Sequence, residues 1–419
     1  MTKKTDILFI HNNFPGQYRL IAKHLSQYDG LRLFAIGSHT ATDVEGVKVQ
    51  RYQLSAHGAQ DIHPFAIRID LECRRAEQII YAANVLKLGG MSPKLIFVHP
   101  GWGESLPVRQ LFPDAKICVY CEFYYRPHGA DVGFDQESQS FGIDGLTRIH
   151  VRNAATLLAL VDGDVGIAPT KWQQSVFPRE FMSKIRVLHD GIDTNMLQPA
   201  PSCFSHPSMK PLKTGDEVLT FVARNLEPYR GFHIFMRSLP RILAARRHVR
   251  VCIVGGTNVS YGRVPSGADS WKTAMLNELA GELDMSRVHF LDPIPHEQLI
   301  ALLRTSRVHT YLTYPFVLSW SLLEALALGC IVVASDTAPV REIIKDKHNG
   351  FLIPFFDSNA LAERIIQVLG APRRFESMKG RAQMSVRERY CFEHKILPQF
   401  LKLISELVPD VSLPRRTLR

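Results

Sequence analysis

Two arginines and one glutamate are the residues of this chain whose types and spacing could work on a phosphorylated ligand. Arg224 leaves the end of the apolar run LTFVA, and Arg230, followed by Gly231, stands six positions on in RNLEPYRGFHIF. Guanidiniums so placed around a strand–loop–helix junction can converge on a diphosphate, each charge-assisted contact contributing about 1.5–3 kcal/mol. Two solvated loop arginines are the alternative. Glu324 lies in the long apolar stretch TYPFVLSWSLLEALALGCIVVASDTAPVREII. An ionised group is costly there unless something pairs with it or binds it.

Other residues fit chemistry singly. Gly16, in NNFPGQYR, stands where a loop opens a helix; it suits either a plain helix start or close approach of a bound group to free N–H donors. VCIVGG ends in Gly255 and Gly256, and Ile294 sits on the Pro-flanked loop of VHFLDPIPHEQL, where backbone groups could read a base edge. His99 opens PGWGES around Trp102. Glu122 opens FYYRPHGAD, an aromatic and basic loop containing Tyr125 and Arg126. Aromatic faces with polar edges suit sugar rings, and His99 suits either a proton carrier or a strand-end histidine bonded to a loop. Asp162 and Asp164 mimic a D-x-D metal motif but fit an exposed turn. Cys118 and Cys121 fall in a strand-like run, where residues three apart face opposite ways, which favours packing over metal or redox chemistry.

These residues follow a regular alternation. Apolar runs at 6–10, 32–36, 95–98, 116–121, 164–167 and 185–188 read as strands, with helical patterns near 17–27, 65–89, 104–111 and 144–160. After a stretch containing Pro199, Pro201, Pro207 and Pro211, strands resume at 218–222, 249–254, 288–291, 308–312, 331–334 and 351–353. Strands alternating with helices imply parallel sheets of right-handed βαβ units. The expected class is α/β, with two Rossmann-like domains facing a cleft and ligands at the carboxyl ends of the strands. The expected division is 1–197, a Pro-rich linker at 198–216, 217–385, and at 386–419 a helix packing back on the first domain before a basic tail.

The 419 residues, 46% hydrophobic and 21% charged, are those of a globular protein of more than one domain. The seven cysteines suit a reducing compartment, no apolar run reaches the roughly 18 residues of a membrane span, and the N-terminus reads as a first strand. A cytoplasmic protein is expected. Residues 1–195 hold 21 Lys/Arg against 20 Asp/Glu, whereas 196–419 hold 29 against 20. The basic second half could attract a phosphorylated ligand or an anionic membrane surface, to which the tail VSLPRRTLR could add. Nucleic acid is disfavoured, because the basic residues are dispersed and no zinc-finger or RNA-binding signature accompanies them.

Taken together the motifs resemble the retaining family 4 glycosyltransferases of B-type fold, over nearly the whole chain. The resemblance implies that Arg224, Arg230 and Gly231 hold a donor diphosphate and that Glu324 binds the donor ribose. It also implies that Ser319 and Trp320 form a phosphate-binding turn and that Gly16 belongs to a first-domain glycine loop. Gly256, Ile294 and Phe316 complete the expected donor side; His99, Trp102, Glu122, Tyr125 and Arg126 are the acceptor-side candidates. Three positions depart from the family pattern: Phe316 replaces the first of two glutamates, Ser319 replaces a glycine, and Arg230 replaces a lysine. The family also places a histidine near the position of Glu122.

NNFPGQYR, HPGWGES, EFYYRPHGADVGFD, APTKWQ and HDGID further resemble a subgroup of bacterial exopolysaccharide and surface-glycan synthesis. The implied reaction moves a sugar from a nucleotide diphosphate sugar to a glycan or lipid-linked glycan, without metal or cofactor; the expected partners are that donor, that acceptor and a peripheral contact with an anionic membrane. A nucleotide-binding, non-catalytic scaffold and a two-Rossmann nucleotide-sugar isomerase are the rival readings.

Overall fold

The computed structural model describes residues 4–55, 61–137, 142–411 and 413; most of the basic tail lies outside them. The described residues form two compact units. One takes those of 4–127, 142–191 and 392–413, and the other takes 128–137 and 192–391.

The first unit is built on a parallel sheet of β1 (Thr5–Ile10), β2 (Leu31–Ser38), β3 (Val47–Tyr52), β4 (Pro93–Val98), β5 (Lys116–Tyr120), β6 (Val165–Ala168) and β7 (Ile185–Val187). Their order is β3-β2-β1-β4-β5-β6-β7. The inner strands are continuous apolar runs, as expected where helices cover both faces of a parallel sheet. The order reverses between β1 and β4, so the loops leaving these two strands flank the switch point, where α/β sheets hold ligands. His11 follows β1 and His99 follows β4. The helical segment from Phe392 to Leu407 joins this unit, with Phe392, Ile396, Phe400 and Ile404 in one core cluster with Ile7, Phe9, Phe97 and Ile167.

The second unit begins with an antiparallel hairpin, β8 (Cys203–His206) and β9 (Met209–Lys213), in the stretch read from sequence as a linker. Phe204 and Leu212 pack with Val218, Cys252 and Leu302, so this stretch is part of the core. Its parallel sheet comprises β10 (Val218–Asn225), β11 (Arg250–Gly256), β12 (Val288–Leu291), β13 (Val308–Tyr311), β14 (Ile331–Ser335) and β15 (Phe351–Ile353). The order is β12-β11-β10-β13-β14-β15, with the switch point between β10 and β13. The loops leaving those strands carry Arg230 and the Phe316–Ser319 segment.

Residues 128–137, assigned to the first domain from sequence, pack in the second unit instead. Tyr229 and Tyr314 hydroxyls donate to Asp131 (2.8 Å) and Asp135 (2.5 Å), and Arg237 forks onto Glu137. The helix expected over 144–160 is two, Ile143–Val151 and Ala154–Asp162. Among the described residues no helix is long and apolar enough to cross a membrane.

Candidate active site

In the second unit, the chain leaves β10 through the tight turn Pro228–Arg230 and enters the helix Phe232–Ala245 at Gly231. Gly231 has φ +66°, and a Cβ there would meet the Leu312 side chain at 2.3 Å; both demand glycine. This close approach seats Arg230 against the loop after β13. Its Nη1 donates to Thr313 Oγ1 (3.0 Å) and to the Val317 carbonyl (2.8 Å). The guanidinium lies 5.6 Å from the Tyr261 ring and 5.7 Å from that of Phe316.

Phe316 is buried and meets Tyr229 and Tyr261 edge-on, at 5.3 and 4.7 Å between centroids. Its ring therefore completes an aromatic cluster where the resemblance would place a carboxylate. Ser319 caps the helix Trp320–Ala327, its Oγ accepting from Ser321 N. Its own amide donates to the Tyr311 hydroxyl at 2.8 Å, so the phosphate-binding donor expected at Ser319 already has a partner. Trp320 is exposed at the helix start. One turn further, Glu324 is buried and its Oε1 accepts from His296 Nε2 at 2.9 Å.

Arg224 is exposed at the end of β10 and is not drawn into the Arg230 cluster. Gly256 ends β11, its carbonyl accepting from Leu226 N. Ile294 packs on the Phe204–Leu212 cluster. Three consecutive amides, of Ser260, Tyr261 and Gly262, converge on the buried Glu227 carboxylate at 3.0–3.3 Å. That carboxylate fixes the loop bearing Tyr261. Sequence reasoning missed Glu227, Tyr311 and His296. The one available signal was PHEQ, a histidine opening a helix directly after the Ile294 loop.

In the first unit, His99 is buried, stacked on Tyr120 and packed against Trp102 at 4.5 Å, with its Nε2 3.4 Å from Glu122 Oε2. His11 also contacts His99 and Trp102. Gly16 has φ +45°, and a Cβ there would come within 2.4 Å of the His11 ring. The structure thus gives this glycine a second reason, room for an imidazole. Burial and neighbouring His99 lower the His11 pKa to about 3, so its ring is neutral. Burial opposes ionisation of Glu122, but the closely placed His99, the nearby His11 and the hydrogen bond from Gln17 outweigh it and hold its pKa below the usual value.

Tyr125 and Arg126 lie apart from this network. Tyr125 accepts from Arg152 at 2.9 Å, and Arg126 donates to the carbonyls of Ser175, Val176 and Phe177. Asp164 accepts from Arg109, Lys116 and the Ile117 amide, the satisfied turn that its position suggests. Asp135, Glu137 and His233 offer ligand atoms within 4.8 Å of one another, but the fork from Arg237 already neutralises Glu137.

Comparison with known proteins bears on both halves. Residues 29–197 match the glycosyl transferase family 4 group, and residues 206–385 match the glycosyl transferases group 1. A D-inositol 3-phosphate glycosyltransferase of Nocardia farcinica is 28% identical over 202 residues, 48% of this chain and 43% of that protein. A phosphatidyl-myo-inositol mannosyltransferase of Mycobacterium leprae is 26% identical over 203 residues, 48% of this chain and 47% of that protein. The chain thus spans about half the length of the curated relatives it matches. Among solved structures, the sucrose-phosphate synthase of Thermosynechococcus elongatus superposes with a TM-score of 0.71 at 17% identity, covering 97% of this chain and all of that one. The Anabaena protein HepE in complex with UDP gives 0.64 at 15% identity, over 96% of this chain and all of HepE. With two matches that together span most of the sequence and two parallel Rossmann-like sheets, the chain belongs to the family 4 glycosyltransferases of GT-B fold.

Proposed function

We propose that this protein is a retaining glycosyltransferase that moves a sugar from a nucleotide diphosphate sugar to a hydroxyl of a growing bacterial surface glycan or exopolysaccharide. The observation that carries this reading is the juxtaposition at the second switch point. Arg230 is held by Thr313 and Val317 beside the start of the helix Trp320–Ala327, and Glu324 is held by His296 one turn along it. Arg230, with exposed Arg224 and the positive end of that helix, suits a diphosphate, and Glu324 suits ribose hydroxyls. Solved structures of HepE with UDP and with UDP-glucose support a nucleotide-sugar donor.

In the reaction, the bond from the anomeric carbon to the diphosphate oxygen breaks and one to the acceptor oxygen forms. The acceptor proton passes to the leaving diphosphate. The arginines stabilise the charge that develops there, so this reading assigns no step to a metal. The acceptor is a glycan or lipid-linked glycan, reached from the inner face of the cell membrane.

Thermal-shift screening against UDP, GDP, ADP and dTDP and their sugars, followed by product analysis with the labelled donor that binds, tests the reading. Transfer with the anomeric configuration kept supports it; an inverted product or an isomerised donor sinks it. Phe316, in place of the family's sugar-binding glutamate, favours one rival, a nucleotide-binding scaffold. Nucleotide binding with no turnover in any acceptor panel would establish that rival.

A further inference from the structure

The first unit's switch point carries a hydrogen-bond chain that ends on one carboxylate. The Asn13 amide donates to His11 Nδ1 at 3.0 Å, and the Gly101 amide donates to His99 Nδ1 at 3.1 Å. Both backbone donors require Nδ1 to accept, which leaves each neutral imidazole with its proton on Nε2. His11 Nε2 therefore donates to Gln17 Oε1 at 2.7 Å. That bond turns the Gln17 amide nitrogen toward Glu122, whose Oε1 it meets at 2.8 Å. His99 Nε2–H faces the other oxygen, Oε2, at 3.4 Å.

Room for both rings is provided by glycine. A Cβ at Gly16 would strike His11, and one at Gly101 would come within 2.7 Å of the His99 ring. The backbone of Glu122 is fixed as well, its carbonyl accepting from Gln173 Nε2 at 2.7 Å. The two histidines are buried, whereas the Glu122 side chain is 34% exposed. The carboxylate thus accepts one protein hydrogen bond, from Gln17 at Oε1, while Oε2 lies beside His99 without one and keeps accepting capacity to spare. The His11 ring behind it is neutral and the Glu122 carboxyl is held below its usual pKa, so the exposed end of the chain is negative.

Such a group accepts hydrogen bonds and repels anions. We propose that Glu122 anchors the acceptor through two of its hydroxyls, and that the acceptor is an uncharged polyol at this point rather than a phosphorylated one. His99 and Gln17 act as positioning residues that aim the carboxylate. The proposal rests on the glycosyltransferase reading and narrows it, because it separates this chain's acceptor from the inositol phosphate named for some of its relatives.

The test is direct binding to the full chain in the presence of UDP, read by saturation-transfer NMR. The probes are neutral gluco-, galacto- and manno-oligosaccharides, myo-inositol, and the 6-phosphates of glucose and mannose. A neutral probe should bind, the sugar phosphates should bind at least about tenfold more weakly, and Glu122→Gln should weaken the neutral probe by about tenfold or more. Glu122→Asp, which keeps the charge but withdraws it, should fall between the two and serves if Glu122→Gln does not fold. Equal or tighter binding of the sugar phosphates, binding indifferent to both variants, or no binding of any neutral probe overturns the proposal. Labelled donor turnover is followed in the same samples. Glu122-dependent binding without any donor consumption would sink the transferase reading alone; donor consumption with Glu122-independent binding would sink this proposal alone.

Discussion

The Glu324 carboxylate accepts a hydrogen bond from His296 Nε2 at 2.9 Å. The costly buried acid of the sequence therefore has a protein partner before any ligand arrives. His296 opens the helix His296–Thr305, two residues beyond Ile294, so the contact ties the helix of Glu324 to the loop expected to read a base.

Glu324→Ala and Arg230→Ala should leave the protein folded and lower turnover by about a hundredfold or more, the effect of removing a donor that stabilises developing charge or of losing the donor's ribose contact. His296→Ala should raise the donor KM with a smaller change in kcat, because it only aims Glu324. Steady-state kinetics separate the cases. Near-native turnover in either of the first two variants would overturn the donor-site assignment.

Phe316→Glu, which writes in the family's missing carboxylate, should not improve the enzyme. The new acid would enter a buried aromatic cluster, 5.7 Å from the Arg230 guanidinium at the ring it replaces. It should pair with Arg230 and compete with the diphosphate, lowering turnover about tenfold, while the loss of ring packing lowers the Tm by several degrees. Higher kcat in this variant would show that Phe316 is a simple loss.

Glu227→Ala leaves three convergent amides without their acceptor. The loop carrying Tyr261 should loosen, with a stability loss of about 2–4 kcal/mol and faster proteolysis around Ser260–Gly262. Urea unfolding and limited digestion measure this; unchanged digestion at that loop would refute it.

His309 is fully buried, hydrogen-bonds Thr220 Oγ1 at 3.0 Å, and burial lowers its pKa to about 3. The unfolded chain takes up a proton below about pH 6.5 that the folded protein refuses. The resulting stability is complete above that value and declines, by about 1.4 kcal/mol per pH unit, as pH falls toward 3. His309→Gln should flatten this slope by one proton. Urea titrations at pH 7 and pH 5 give the difference, and equal slopes would show that His309 is protonated in the fold.

Much of the architecture is legible in the sequence because buried parallel strands are continuous apolar runs, such as LIFV and CIVVA. The edge strand β3, VKVQRY, is not, since Lys48 and Arg51 face water, only Tyr52 is buried, and its pattern is diluted by charge. The hairpin β8–β9 hides among prolines and polar residues, and only the burial of Phe204 and Leu212 shows that it belongs to a core. Arg230 and Glu324 stand out as charges in apolar surroundings. His296, Glu227 and Tyr311 do not, because their roles arise from contacts between loops that no local spacing encodes. The same holds for Gln17, which looks like an ordinary helix residue until the tautomer of His11 fixes its amide.

The segment from Phe392 onward completes the core of the first unit, with Phe400 edge-on to Phe97 on β4 at 6.3 Å. On the ribosome, β1 to β7 emerge first, and residues 192–391 must follow before that segment appears. Throughout this interval the nascent sheet exposes the apolar surface that Phe392, Ile396 and Phe400 will cover. The first-made half is thus the last to be finished, and a stalled or prematurely terminated chain presents chaperones with a sheet whose missing cover was never translated.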